Sequence, residues 1–310
     1  MKQFRNILVA TDSRLDQHPI VDEAAEIAAH NEASLTIVDV VPDLPWTVRL
    51  TMQDAGHMSE LMQEEKQQKL DSLATEIRDR GVAVQTKVLH GKTSLSIIRE
   101  VMRSNFDLVV RVHKGAQSRR HGFFGNTGIR LLRKCPCAVW LMQPTHVKFK
   151  HVLGCVDTSS EDKIDSELNN EVYDLAKEVS HYHGGFFSIV HVWSLWNALF
   201  LQRRMPPDEF AEMMQRNHDQ VESYLDKFLQ HHGSSAKAEN VHMIEGEPAD
   251  AIPGFAQKND VDLIVMGTVA RSGVSGMVMG NTAERILDRM ECSVLALKPE
   301  DFVSPIQLDD

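Results

Sequence analysis

The chain contains itself. The segment GNTAERILDRMECSVLALKP (280–299) lies without gaps over GNTGIRLLRKCPCAVWLMQP (125–144). At the same offset DLIVM (262–266) falls on DLVVR (107–111), and Glu245-Gly246 on His90-Gly91. Upstream, HVLGCVDTSS (151–160) resembles NILVATDS (6–13), which sets Asp157 over Asp12, and FSIVHV (187–192) resembles LTIVDV (35–40). The offset drifts between blocks, so loops of unequal length separate them. Chance does not easily place such matches in the same order at four places. The repeat predicts two domains of one fold, 1–146 and 147–310, each long enough to bury a core without metal or disulfide support.

Within each half, strand and helix patterns alternate. In the first, NILVAT, LTIVDVV, VAVQTKVLH, DLVVRV and AVWLMQ read as strands. Between them VDEAAEIAAH, a long run from Met58 to Arg80, SLSIIREVMRSN and TGIRLLRK carry helical periodicity. Strands separated by helices require a parallel sheet with right-handed crossovers and helices on both faces. The expected fold is therefore α/β, with two tandem doubly wound parallel five-stranded sheets related by an internal pseudo-two-fold duplication. Such sheets bind ligands beyond the C-terminal strand ends, where the strand order reverses. Asp12, Asp157 and a glycine-rich stretch at 267–282 all fall at such ends.

That stretch, GTVARSGVSGMVMGNT, has two readings. Glycines let backbone N–H groups approach phosphate oxygens, and a helix N-terminus adds partial positive charge. Alternatively, the glycines only turn the chain while Asn281 caps the helix, with Glu284 as capping-box partner. The pattern is neither GxxxxGK[ST] nor GxGxxG.

A strand, then GTVARSGxSGxxxGNTAE, a helix, and a last strand ending in LKP resembles the universal stress protein family. The duplication makes the chain similar to its tandem type, which is like a dimer fused into one chain, with the last strands AVWLM and SVLAL crossing between halves. ATP-binding members carry G-x-x-G, nine residues, then G-[S/T]. Here Gly267 and Gly280 match the first and third positions, Ala270 replaces the second, and Asn281 followed by Thr282 stands at the last. The resemblance implies that Asp157 lies near base and ribose, and that Val192 contacts adenine. It implies ATP as ligand with Mg beside it, a stress-response binding or regulatory role, and at most slow hydrolysis. A homo-oligomer and a small-molecule ligand, nucleotide or metabolite, are the partners it brings to mind.

The first half departs further. Val112 stands where Gly267 does, Gly115 takes the place of Ala270, and AQSRRHGFF follows. Arg119 and Arg120, with Asp12, Gly115, Gly125, Asn126 and Thr127, make a candidate degenerate or anion site. The competing reading is a solvated basic face, since the stretch 111–134 carries Arg and Lys without an acid.

Composition closes off other classes. The formal charge of -11 argues against broad binding to nucleic acid or anionic membranes. No run of about 18 apolar residues predicts a membrane span, and the short apolar run at the start predicts a cytoplasmic protein. Cys135, Cys137, Cys155 and Cys292 lack zinc-ribbon spacing; CPC at 135–137 reads as a reactive pair or as small buried thiols. The 15 histidines show neither HExxH nor finger spacing, so no metal site is expected. No nucleophile has a visible base. The unrepeated segments 42–70 and 193–222 read as helical covers, partner surfaces or, for the Trp- and Met-rich second one, a lid over an apolar-chain pocket.

Overall fold

The computed structural model describes residues 4–12, 18–44, 55–113, 124–143, 148–159, 163–268 and 279–308. These form two compact units. The first takes the described parts of Lys2–Val147, Ser272–Met279 and Ser293–Asp310, and the second those of Lys148–Arg271 with Gly280–Cys292.

The first unit runs β1 (Asn6–Ala10), α1 (Pro19–Asn31), β2 (Ser34–Val41), α2 (Ala55–Arg78), β3 (Val84–His90), α3 (Thr93–Ser104), β4 (Leu108–Val112), α4 (Gly125–Lys134) and β5 (Ala138–Met142). These strands are parallel in the order β3-β2-β1-β4-β5. β1, β2 and β5 are apolar and buried along most of their length, as strands covered on both faces must be, whereas the edge strand β3 buries only Val84 and Leu89. A sixth strand, β10 (Ser293–Leu297), adds to β5 in antiparallel fashion with Leu295 opposite Trp140. AVWLM thus pairs with β4 of its own half and with SVLAL from the end of the chain.

The second unit repeats the scheme with β6 (His151–Cys155), α5 (Lys163–Tyr182), β7 (Phe186–Trp193), α6 (Ala198–Gln202), α7 (Pro207–Gln230), β8 (Val241–Glu245), α8 (Pro248–Lys258), β9 (Leu263–Gly267) and α9 (Asn281–Leu287). Its strands are parallel in the order β9-β6-β7-β8. In both units the first strand is central, and the chain builds outward on one side before returning on the other.

The duplication extends to single hydrogen bonds. Asp107 accepts the Arg5 N–H at 2.6 Å and the Asn6 N–H at 3.2 Å; its twin Asp262 accepts those of Lys150 at 2.8 Å and His151 at 3.0 Å. Gly91, at φ 106°, donates its N–H to Val41 O, and Gly246, at φ 147°, does so to Trp193 O. A side chain resists that backbone region, which accounts for a glycine at both positions.

Helix-to-sheet spacing is kept by trading bulk. Gly154 of β6 leaves room for Val172 and Ala176 of α5, and a Cβ there would come within 2.8 Å of Ile189 Cδ1. In β1 the same place is Val9, and the buried face of α1 carries the smaller Ala24, Ala25 and Ala28.

The end of the chain also closes α4. Lys298 Nζ donates to Leu132 O at 2.7 Å and Ser304 Oγ to Lys134 O at 2.7 Å, satisfying carbonyls that a helix end leaves without intrahelical partners. Phe302 is buried under the Lys298 ammonium, 4.7 Å from the ring centre. Within 193–222, Trp193 is buried, whereas Trp196, Leu199 and Phe200 are 79%, 72% and 55% exposed. They face solvent rather than packing over a core. Part of 42–70 lies outside the described residues.

Candidate functional site

Parallel β6, β7 and β9 bring their C-terminal ends to one edge of the second unit, and strand order reverses at the neighbouring pair β6 and β9. Asp157 leaves β6 two residues past its end. Its backbone is clamped by Asn169 of α5, whose Oδ1 accepts the Asp157 N–H at 3.0 Å and whose Nδ2 donates to Asp157 O at 2.8 Å. The carboxylate is exposed and its Oδ1 accepts from Ser159 Oγ at 2.6 Å and Ser159 N at 3.2 Å. The backbone is thus fixed and the acid is presented outward, within reach of hydroxyl donors.

Across the crevice, β9 ends at Gly267, followed by fully buried Thr268. The chain returns at Gly280, whose N–H donates to Thr268 O at 3.0 Å, so the two ends of the glycine-rich stretch are tied together. Gly280 is the N-cap of α9 in extended conformation, at φ −64° and ψ 142°, and its carbonyl accepts the Glu284 N–H at 3.0 Å. The expected capping by Asn281 is corrected here. The tie to Thr268 holds Gly280 extended, the helix begins one residue later, and Asn281 and Thr282 sit exposed in its first turn. Glu284 is then one position too far along for a capping box.

Gly267 has a role that the motif alone did not reveal. A Cβ at this position would fall on Leu168 Cδ2 of α5, so a side chain there forces Leu168 to shift. Val192 is partly buried near the end of β7, in register with Ile244. Beside it His191 is buried, with Nδ1 3.2 Å from Val156 O, and burial lowers its pKa. The ring is therefore neutral, Nδ1 carries the proton, and Nε2 is left as an acceptor with no partner among the described residues. Sequence offered no signal for His191, Asn169 or Leu168, because each acts through a partner distant in the chain. Ala270 lies outside the described residues.

The first unit treats the equivalent crevice differently. His113 and Phe124 replace Thr268 and Met279; they are 1% and 3% exposed and meet edge to face with ring centres 5.3 Å apart. Burial pushes His113 down to about 4, so it too is neutral. The aligned positions of the second half carry Thr268 and Met279, which are equally buried. Asp39, in the position of His191, takes Lys66 Nζ at 2.9 Å with both side chains nearly buried. Asp12 is partly exposed; Gly125 enters α4 in the left-handed region at φ 67°, unlike extended Gly280; Asn126 is exposed and Thr127 partly so. Gly115, Arg119 and Arg120 lie outside the described residues. On α7, His218, Asp219 and Glu222 bring donor atoms within 4.8 Å of one another. Helical spacing of surface acids produces such a group without a metal, and we assign none to it.

Comparison with known proteins agrees with this architecture. Residues 3–143 and 148–298 each match the model of the Universal stress protein family. Universal stress protein E of Escherichia coli is 28% identical over 330 residues, covering 100% of this chain and 99% of its own. Universal stress protein E of Photorhabdus laumondii is 26% identical, with 99% of each chain covered. A crystal structure of a functionally unknown protein from Pseudomonas aeruginosa superposes with a TM-score of 0.73 at 23% identity, over 96% of this chain and 94% of that one. No helix among the described residues is long and apolar enough to cross a membrane. With two family domains, each built on the same strand order around a central first strand, the chain belongs to the universal stress protein family and is of its tandem type.

Proposed function

We propose that the second unit binds ATP or a related nucleotide, with Mg accompanying the phosphates, and that the protein acts as a cytoplasmic binding or regulatory module of the stress response. The observation that carries this reading is the asymmetry between the two crevices. In the second unit an outward-facing Asp157, the end of β9 and the extended Gly280 converge where the strand order reverses. In the first, Gly125 enters its helix in the left-handed region at φ 67° instead of extended, and Asp39, in the place of His191, is held by Lys66. Base and ribose would meet Asp157 and Val192. Phosphates would meet the stretch from Gly267 through Ala270 to Gly280, Asn281 and Thr282.

No described group combines a nucleophile with a base, so binding rather than rapid turnover is the proposed activity. Equilibrium dialysis of the full chain with ATP and Mg is expected to give one nucleotide per chain. Asp157→Ala, which removes the carboxylate and leaves the Asn169 clamp on the backbone, is expected to weaken it at least about tenfold, the loss of one charge-assisted hydrogen bond. Gly280→Val is expected to do the same, and Asp12→Ala to change nothing. Binding unaltered by Asp157→Ala, or two nucleotides per chain, would overturn the assignment. Multiple turnover lost in these same variants would place the protein among slow hydrolases instead.

A further inference from the structure

Between α4 and β5 the chain reads Cys135-Pro136-Cys137, and the two Sγ atoms lie 3.6 Å apart. That is van der Waals contact, and closure by about 1.6 Å would reach the disulfide length of about 2.05 Å. The separation is held from both sides. The Cys135 N–H is tied to Leu131 O at 2.9 Å as the last act of α4, and Ala138 opens β5 in register with Leu108. Between them Pro136 fixes its own φ and keeps Cys135 extended, at φ −71° and ψ 132°.

The two thiols are not equivalent. Cys135 is wholly buried, whereas Cys137 is partly exposed. Cys137 is therefore the member of the pair nearer solvent, although its thiol is itself packed among neighbours, and only a small oxidant reaches it. The Lys298 ammonium, fastened to Leu132 O, is close enough that either thiolate would attract it, and the attraction is mutual. The duplicated half supplies an internal comparison, because Met290-Glu291-Cys292 keeps only the second thiol.

We propose that Cys135 and Cys137 form an oxidisable dithiol that a hydroperoxide converts to an intrachain disulfide. The Cys137 thiolate attacks the outer peroxide oxygen; an S–O bond forms, the O–O bond breaks, and the alcohol or water leaves with a proton. Cys135 sulfur then attacks Cys137 sulfur; the S–S bond forms, the S–O bond breaks, and hydroxide leaves as water with the Cys135 proton. Two thiols lose two electrons and two protons, and the hydroperoxide is reduced by two electrons. Burial pushes the Cys137 thiol up, so the pair reacts slowly at neutral pH and faster in mild alkali.

The test treats the full chain with hydrogen peroxide, quenches it, unfolds it and alkylates it with N-ethylmaleimide. Untreated protein is expected to take four maleimides, one for each cysteine, and oxidised protein two. The peptide containing 135–137 should be lighter by two hydrogens, and dithiothreitol should restore all four sites. Cys135→Ser should instead yield a dimedone adduct at Cys137 and no hydrogen loss. Cys137→Ser should leave Cys135 alkylatable. Four maleimides after peroxide, or irreversible sulfinic acid at Cys137 in the unsubstituted chain, would overturn the proposal.

Discussion

His113, just past the end of β4, shows what burial does to a single titratable residue. Its ring is 1% exposed against Phe124, and burial alone holds its pKa at about 4, below the ordinary 6.5. A histidine depressed in the folded state stays neutral there while the unfolded chain takes up a proton below pH 6.5. Stability is therefore complete above that pH and falls as pH drops toward 4. At about 1.36 kcal/mol per pH unit the loss is on the order of 3 kcal/mol. His113→Phe keeps a ring beside Phe124 and removes the titration. Urea unfolding between pH 7 and 4 is expected to show the substituted protein losing less stability than the parent. Equal slopes would show that His113 takes its proton without penalty. In sequence HKG simply stands where the second half has TVA, and only the structure shows that its histidine turns inward against Phe124.

At the scale of elements, α5 is where packing and candidate site meet. Its Leu168 lies where a Cβ on Gly267 would fall, its Asn169 clamps Asp157, and its Val172 and Ala176 occupy the room left by Gly154. Gly267→Ala therefore drives a methyl into Leu168, and overpacking of this kind costs about 1–3 kcal/mol. Thermal unfolding without ligand is expected to show the loss, and Leu168→Ala in the same chain to relieve part of it. If the double variant were no more stable than the single one, the collision would not be the cause. The strand and helix order was legible because apolar runs and helical periodicity are local properties. The dual demand on Gly267 was not, because a glycine motif carries no trace of a leucine about a hundred residues earlier. Nor was the cap at Gly280, which depends on the bond to Thr268 O across the stretch between them.

Across the whole molecule, the first unit is not complete until the last strand has been made. β5 offers one edge to β4 and the other to β10, and AVWLM is apolar throughout. Without β10 that edge would stand open, and an apolar open edge invites pairing with other chains. The residues after β10 add the Lys298 and Ser304 bonds that close α4 and the buried Phe302. The sequence repeat announced two copies of one fold, and only the family resemblance brought the last strands AVWLM and SVLAL together, because strand pairing across such a separation leaves no periodicity. Two truncations separate the contributions. A chain ending at Lys298 keeps β10 and loses Ser304 and Phe302; a chain ending at Cys292 loses the strand as well. Hydrogen exchange at Ala138–Met142 is expected to be slow in the parent, moderately faster in the first truncation and unprotected in the second, which should also aggregate on concentration. Protection at β5 that survived removal of Ser293–Leu297 would mean that the five parallel strands stand alone, with β10 only an addition to them.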